Sequence, residues 1–222
     1  MKKLFLSFLL VSAFAFNDCI AGNIIEGQGS SLLKDDSGSK CFDENSKVLN
    51  LGVGFASASY YRSYRGKGYN YRSSPAFSLT YEQALKSKLG PGFLGIGAYL
   101  GYQSATARFN NSYYNGGLYY YEHKWKSYTV AARAAYHLDF LNSERAEIYA
   151  GVTVGVNIRT YKYETNSPDP NSAYYSLSNG AVAPAYSAFL GARWYFTQNI
   201  GLFGELGSSN VSWGTLGFSF KL

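Results

Sequence analysis

The chain has 222 residues and a formal net charge of +6, and only 15% of its residues are charged whereas 18% are aromatic. After the N-terminal segment, no apolar run approaches the roughly 18 residues that a transmembrane helix requires, and apolar residues do not recur at helical spacing. Composition therefore excludes a helical membrane protein and a helical bundle. It favours a single all-β domain that is rich in tyrosine and glycine (22 Tyr and 24 Gly).

The N-terminus has the features of a secretory signal peptide. Lys2 and Lys3 precede an apolar stretch from Leu4 to Phe16, which is too short to span a bilayer. We predict a signal peptide over residues 1–21 and an exported protein.

The position of the signal-peptide cut decides the cysteine chemistry. Cleavage after Ala21 leaves Cys41 as the single thiol, which is the interpretation we favour, whereas cleavage after Ala15 also keeps Cys19 for a disulfide. A lipid anchor on Cys19 is a further alternative, but residues 17–18 are not the small residues that such a site needs. No Cys/His cluster has metal-ligand spacing, so we expect neither a metal nor another cofactor.

The character of the chain changes near residue 47. Residues 22–46 are polar, rich in Gly, Ser and Asp, and without periodicity, which predicts a flexible periplasmic leader. Alternation of side-chain character begins after it and continues to the C-terminus, so we predict a barrel domain over residues 47–222.

Eight segments alternate apolar side chains with small or polar ones, which is the period of a β-strand. They are 48–56, 76–83, 93–102, 128–138, 147–159, 186–196, 201–206 and 216–222. An even number of strands of this length predicts an all-β fold, an eight-stranded antiparallel transmembrane β-barrel. The alternative is a soluble, lipocalin-like barrel whose apolar face points inward.

Three features favour the membrane barrel. The polar face carries about one charge per strand, which is too few for a solvated exterior: Glu82, Arg133, Glu147, Arg159, Arg193, Glu205 and Lys221. Aromatic residues fall at both ends of the apolar face, as the two interfaces of a bilayer select: Tyr102, Tyr128 and Tyr186 at one end, and Tyr136, Trp194, Phe196 and Phe220 at the other. Long connections (about 59–74, 105–126 and 162–182) alternate with short ones (86–91, 139–145 and 197–200), which is typical of outer-membrane barrels and places both termini in the periplasm.

The lumen of a barrel with eight strands is wide enough only for side chains. We expect the seven charged residues of the polar face to pair with one another in a lumen charge network, because an unpaired charge there would be costly. Aromatic side chains are expected to fill the rest: Phe93, Tyr99, Tyr149, Phe189, Tyr195 and Phe203. We therefore predict a plugged lumen, and a narrow porin-like channel for ions or small solutes is the alternative.

The first two long connections combine cations with aromatic residues. Their candidate surface-binding residues are Arg62, Arg65, Lys67, Arg72, Tyr119, Tyr121 and Trp125. Such side chains suit lipopolysaccharide phosphates, anionic glycans or a protein partner. The predicted partners are therefore outer-membrane lipid, lipopolysaccharide and an unidentified surface ligand, while the compartment argues against nucleic acid.

The last residues, WGTLGFSFKL, place Thr215, Gly217, Phe220 and Leu222 at the spacing of the C-terminal signal that outer-membrane barrels present to the barrel-assembly machinery, with Leu222 replacing the usual aromatic residue. With the upstream "FLGIGAYLGY" and "VLNLGVGFA", this region resembles the small outer-membrane β-barrel domain family over roughly residues 46–222. That family includes OmpA-transmembrane-like, OmpX-like and opacity-protein-like "porin family" barrels. The resemblance implies a protein of the outer membrane of a Gram-negative bacterium, and it brings no catalytic motif. We separately expect a monomer.

An enzyme is not expected. Small barrels that act on lipids or peptides need a histidine with a serine or carboxylate near the outer rim. His137 lies at the periplasmic end of its strand, and His123 has Glu122 beside it and Ser127 nearby, but adjacent residues of a strand face opposite ways.

Overall fold

The computed structural model describes residues 41–56, 68–114, 117–138, 143–168, 179–207 and 211–222. The predicted signal peptide, the leader up to residue 40, and Arg62, Arg65 and Lys67 lie outside the described residues. Within the described part of the chain, no helix is long and apolar enough to cross a membrane.

The described residues form nine β-strands. These are β1 (Lys47–Ala56), β2 (Asn70–Ser73), β3 (Ala76–Leu89), β4 (Gly92–Tyr114), β5 (Gly117–Leu138), β6 (Ala146–Thr165), β7 (Asn179–Tyr195), β8 (Ile200–Gly207) and β9 (Ser212–Lys221). Each of the eight predicted strands is present, and β2 is a short addition that lies within the first long connection.

The strands close into a ring. The pairing order is β1-β3-β4-β5-β6-β7-β8-β9, every pair is antiparallel, and β9 pairs again with β1. The short β2 pairs with β4 directly beyond the end of β3. The predicted eight-stranded antiparallel barrel is therefore confirmed.

The stagger of the ring follows from the register. Stepping from Leu51 through β3, β4, β5 and β6 reaches Pro184 on β7, whereas stepping the other way through β9 and β8 reaches Trp194. A stagger of about 10 residues in eight strands corresponds to strands tilted by about 40° around an interior that side chains fill.

The two faces of the ring are chemically opposite. The outward face is apolar and exposed; Val53, Leu100, Val154, Leu190 and Phe218 have exposed fractions of 51%, 46%, 64%, 56% and 52%. The inward face holds the buried charges and amides together with buried rings. The core of this barrel is therefore its polar lumen.

The two ends of the ring also differ, and we call them the short-turn end and the extended end. The short-turn end has the two-residue turn Gly90-Pro91, where Gly90 has a φ of 62°, and the turn over residues 196–199. The N-terminal end of β1 and the C-terminal end of β9 also lie here, where the Leu222 amide donates to the Lys47 carbonyl at 2.9 Å. At the extended end, β4 to β7 continue well beyond β8 and β9.

One predicted loop is a β-structure. The prediction of a long loop over 105–126 is wrong. Strands β4 and β5 pair from Gly92 and Leu138 to Tyr114 and Gly117, with one bulge after Phe109. These residues lack an apolar outward face, so the alternation that marks the eight predicted strands is absent. Their Thr, Tyr and Phe content still favours strands.

The end of the predicted leader is ordered against the barrel. Residues 41–46 were expected to belong to a flexible segment, yet Cys41 and Phe42 are only 3% and 4% exposed. The Cys41 amide donates to the Ser143 carbonyl at 3.1 Å, and Phe42 packs with Val48 and Phe93 inside the short-turn end. A single aromatic residue in a polar segment gives no periodic signal, which is why the pattern does not predict this packing.

Candidate functional site

The lumen is crossed by buried ion pairs from several strands. Arg133 of β5 binds Glu205 of β8 through two hydrogen bonds, with Nη2 donating to Oε1 at 2.6 Å and Nη1 donating to Oε2 at 3.1 Å. Its Nε donates to Glu82 of β3. A two-pronged guanidinium–carboxylate contact fixes both side chains in orientation as well as in distance.

A second guanidinium extends this arrangement. Arg193 of β7 donates through Nη1 to Glu147 of β6 and lies 3.4 Å from Glu82 through Nη2. Glu82 thus contacts both arginines, and the four side chains Glu82, Arg133, Glu147 and Arg193 are each no more than 4% exposed. Burial of these charges is compensated only because each one meets an opposite charge.

Aromatic rings pack against the two arginines. The guanidinium carbon of Arg133 lies 3.8 Å from the centre of the Phe189 ring, and that of Arg193 lies 4.9 Å from the centre of the Tyr149 ring. The Tyr149 hydroxyl donates to Glu205 at 2.9 Å. Cation–π contacts of this kind contribute most where water is excluded.

The structure brings together five of the seven predicted lumen charges, namely Glu82, Arg133, Glu147, Arg193 and Glu205. The other two have different partners. Arg159 donates to Asn157 at 2.8 Å, and the Lys221 ammonium lies 4.7 Å from the centre of the Tyr195 ring.

Sequence reasoning missed His137 as a member of this cluster. Its Nδ1 is 3.0 Å from Glu147, and its Nε2 is 3.5 Å from Glu82. Because His137 is four positions after Arg133 on β5, its side chain points to the same face of the strand. That parity is the signal that could have predicted it.

Polar residues other than charges also bind one another in the lumen. Asn157 donates to Ser127 and to Thr129, both at 2.8 Å, and Asn50 donates to Thr80 at 2.8 Å. Hydrogen bonds of this kind are required where a polar group is buried.

The inward glycines make room for neighbouring side chains. A Cβ added at Gly191 would overlap the Tyr149 ring, and one added at Gly52 would lie 2.5 Å from both Ser78 and Thr215. The space that a side chain at these positions would need is therefore occupied by the neighbours. A cavity of about 30 Å³ lies beside Arg133 and Glu205, with room for one or two water molecules.

The extended end has a charged outer face. Lys124 lies 2.5 Å from Glu164 and 3.0 Å from Glu122, and Lys162 lies 2.8 Å from Glu164. The hydrogen bond from Lys124, with the one from Lys162, lowers the pKa of Glu164 to about 2, and the Glu164 bond raises the pKa of Lys124. The Lys124–Glu164 ion pair therefore joins β5 to β6 at this end.

The inner face of the extended end carries aromatic rings. The rings of His123, Trp125 and Tyr161 lie 5.7–5.9 Å from one another, and Tyr163 lies 5.0 Å from His123. Burial lowers the pKa of His123, and its Nδ1 is 2.7 Å from the Tyr161 hydroxyl. Cations and rings that are mixed in the sequence are thus largely separated onto two faces.

The predicted surface-binding residues that the structure describes lie on strands. Arg72 is exposed on β2, while Tyr119, Tyr121 and Trp125 occupy β5 at alternate positions and are half-buried. The alternation places those three on the same side of β5 as His123. Trp125 and Tyr121 contact rings of β6, Tyr161 and Tyr163 respectively.

The described residues contain no catalytic arrangement around His123. Glu122 binds Lys124, Ser127 exchanges hydrogen bonds with Asn157, and the imidazole of His123 binds Tyr161. Among the same residues, no group of three His, Cys, Asp or Glu side chains is placed to hold a metal ion.

The predicted assembly signal lies on the strand that closes the ring. Gly217 pairs with Gly52, Phe220 pairs with Leu49 on one side and Ile200 on the other, and Leu222 is 71% exposed. An added Cβ at Gly217 would overlap the Leu51 carbonyl of β1, so glycine permits the close approach of the closing strands.

Comparison with known proteins gives similarity to solved structures alone. The chain is similar to the N-terminal β-barrel domain of Pseudomonas aeruginosa OprF, with 12% identity, 82% of this chain and 100% of that chain covered, and a TM-score of 0.44. The outer membrane protein OprG of the same organism gives 12% identity, coverage of 82% and 99%, and a TM-score of 0.41. The Yersinia pestis outer membrane protein Ail in a bilayer nanodisc gives 14% identity, coverage of 81% and 100%, and a TM-score of 0.38.

No protein-family model matches the chain, and no curated protein sequence matches it. The class that the strand pairing of the chain itself defines is a closed, eight-stranded antiparallel barrel with a polar, side-chain-filled lumen.

Proposed function

We propose that the protein is a barrel of the Gram-negative outer membrane with a structural or surface-interaction role and a closed lumen. The observation that carries the proposal is the inverted distribution of side chains. Charged residues such as Glu82 and Arg193 are buried inside the ring, while Leu, Val, Ile and Phe cover its outside. A barrel in water would expose a large apolar surface, whereas a barrel in lipid would bury it.

The height of the apolar surface supports a bilayer. On β5, Tyr128 and Tyr136 are separated by eight residues, and on β7, Tyr186 and Trp194 have the same separation. At about 3.3 Å per residue and a tilt of about 40°, each pair spans about 20 Å, close to the height of the apolar band in outer-membrane barrels. Aromatic residues at both limits suit the two interfaces.

The lumen contents favour a barrel that does not conduct. The cluster of Glu82, Arg133, Glu147, Arg193 and Glu205 joins strands on opposite sides of the ring, since Glu82 of β3 contacts Arg193 of β7. Opening a passage would separate these charges in a medium where separation is costly. A narrow channel is the alternative that the experiment below would detect.

The extended end supports a role at the cell surface. Lys126 and Arg108 are exposed there, and Lys162 is 65% exposed on the outer face. Cations just above an apolar band fit the phosphates of lipopolysaccharide. We further propose that the monomer is inserted by the barrel-assembly machinery through its C-terminal strand, and that an unidentified ligand is met by the extended end. No enzymatic activity is proposed.

Insertion and conductance of the refolded chain test the proposal. We expect stable insertion into lipid vesicles and no steady current across a planar bilayer. As a positive control, the double variant Arg133→Ser and Glu205→Ser removes the doubly hydrogen-bonded pair between β5 and β8. We expect it to raise the conductance. Lys162→Gln on the outer face is the matched variant that leaves the lumen unchanged.

Two outcomes would overturn the proposal in different ways. A chain that stays folded in water without detergent and does not insert would not be a membrane barrel. Steady current through the unaltered barrel, changed by the lumen variants but not by Lys162→Gln, would establish the channel.

A further inference from the structure

The short-turn end of the lumen is closed by the segment that precedes β1. Phe42 enters the ring, where its phenyl ring stacks on the imidazole of His137 with 3.6 Å between ring centres and 6° between planes. The segment then turns back on itself, because the Ser46 hydroxyl donates to Asp43 at 2.8 Å and accepts from the Asp43 amide at 2.9 Å. We call residues 41–46 the stopper.

A carboxylate oxygen lies near each ring nitrogen of His137, but only Nδ1 makes a hydrogen bond, and the buried Nε2 has no hydrogen-bond partner among the described residues. Nδ1 lies 3.0 Å from Glu147, and Nε2 lies 3.5 Å from Glu82. A neutral imidazole has one nitrogen without a proton, so one of these contacts would bring a lone pair against a carboxylate oxygen. A doubly protonated ring gives both nitrogens a proton to donate.

The net charge of the cluster also favours a doubly protonated His137. Three carboxylates (Glu82, Glu147 and Glu205) face two guanidiniums (Arg133 and Arg193), and the side chains of all five are at most 11% exposed. A buried cluster with an excess negative charge is costly, and an imidazolium at His137 brings the sum to zero.

The remaining neighbours of His137 are neutral. Tyr149 of β6 lies 5.2 Å from it between ring centres, β4 contributes Gly95, and the stopper contributes the phenyl ring of Phe42. Stacking of an aromatic face on a cation is stronger than on a neutral ring, particularly where water is excluded. The charge of His137 therefore stabilises the position of Phe42 as well as the carboxylates.

We propose that His137 is the third cation of the lumen cluster, and that its protonation holds the stopper in the short-turn end as a pH-sensitive closure. This inference rests on the closed lumen proposed above and adds a mechanism for one of its ends. When His137 loses its proton at alkaline pH, the cluster gains a net negative charge and the stack on Phe42 weakens. The stopper is then released while the barrel wall stays intact.

The protonation state is tested on the unaltered barrel by ¹⁵N NMR of its histidine side chains in nanodiscs. We expect both nitrogens of His137 to show protonated shifts at neutral pH, while His123 shows a neutral ring. A neutral tautomer at His137 under these conditions would overturn the proposal without any variant having to fold.

Release of the stopper is tested by alkylation of Cys41, which is buried within it. The chain carries Cys19→Ser, is kept reduced, and is inserted in vesicles before labelling, so failure to insert is recorded separately. Each rate is divided by the rate of the urea-unfolded chain at the same pH. We expect His137→Gln to speed labelling by about tenfold or more at neutral pH and to remove its pH dependence.

Two further variants make the result specific. His123→Gln, on the same strand but at the extended end, should leave the labelling rate unchanged. Phe42→Leu keeps an apolar side chain but removes the ring stack, and should give faster labelling with His137 still charged. Equal Cys41 rates in His137→Gln and the parent chain, at neutral and alkaline pH alike, would overturn the stopper.

Discussion

At the scale of single residues, the lumen shows how a buried charge depends on its partners. Arg133 contacts Glu82, Glu205 and the ring of Phe189, and it is 3% exposed. Removing one partner leaves the others charged and dehydrated, so the cost exceeds the value of a single ion pair. The same reasoning separates the buried pairs of the lumen from the exposed pairs at the extended end.

Arg133→Met is expected to lower the free energy of unfolding by about 3–5 kcal/mol, because Glu82 and Glu205 lose a shared cation. The matched control is Lys162→Met, whose exposed and solvent-screened pair with Glu164 is expected to contribute little to stability. Urea unfolding in vesicles, followed by tryptophan fluorescence, gives both values. Equal midpoints for the two variants would contradict the account of the lumen.

Gly191→Val is expected to destabilise the barrel by about 1–3 kcal/mol, because the new side chain would overlap the Tyr149 ring that packs on Arg193. Gly180→Val on the same strand is the control, since a Cβ there meets only the Arg159 carbonyl oxygen at 3.8 Å. The same unfolding measurement applies. A Gly191 variant as stable as the Gly180 variant would show that the lumen at Tyr149 is loosely packed.

At the scale of strands, β5 and β6 stay paired in one register while the surroundings of their outward side chains change along their length. Their pairing runs from Leu138 and Ile148 to Tyr121 and Thr165. Within the apolar band their outward side chains meet lipid in the proposed orientation, and beyond it the outward positions carry the ion pairs of Lys124 and Glu164. Cross-strand pairs of opposite charge support a strand pair where burial no longer does.

The ion pairs of Glu164 predict a pH dependence. Lys124 and Lys162 hold the pKa of Glu164 at about 2, below the usual 4.5, so ionised Glu164 is favoured in the folded state. Its contribution is therefore complete above pH 4.5 and is lost as the pH falls towards 2. A ¹³C NMR titration of the Glu164 carboxyl should show this low midpoint.

Lys124→Met provides the comparison for that titration, since it removes the main hydrogen bond and should move the midpoint back towards 4.5. A parent chain that already titrates near 4.5 would mean that the side chains of the extended end do not hold these pairs in solution.

At the scale of the whole molecule, the proposed environment and the fold require one another. An outside covered by Leu, Val and Phe is stable only where water is absent, and a lumen with charges is stable only where they pair. The stagger of about 10 residues sets a narrow ring, so the paired side chains fill its section.

Leu190→Arg is expected to impair insertion and to cost about 2–4 kcal/mol, because Leu190 lies midway between Tyr186 and Trp194 on the lipid side of β7. Val182→Arg is the control on the same strand; Val182 is more exposed (70%) but lies beyond Tyr186, where the expected cost is about 0–1 kcal/mol. Folding yield in vesicles at several urea concentrations measures the difference. Similar yields for the two variants would argue against a bilayer at this position.

The sequence alone determined the barrel, because the alternation of side chains has the strict period of a strand and recurs in eight segments. Parity along each strand placed Glu82, Arg133, Glu147, Arg193 and Glu205 on one face, and the low charge of that face together with the aromatic residues at both ends of the other indicated that it points inward. The sequence pattern did not predict the long, partly polar ends of β4 and β5, because Thr- and Tyr-rich strands without an apolar face give no clear period.

Tertiary structure decided the partners. Parity places Lys221 inward with the other charges, but the stagger of the ring sets which strand positions meet, and Lys221 of β9 lies over the ring of Tyr195 of β7 instead. The insertion of Phe42 over His137 likewise depends on the space left at the short-turn end once the ring has closed. Local patterns carry no information on such contacts, because the residues involved are brought together only by the curvature and shear of the closed sheet.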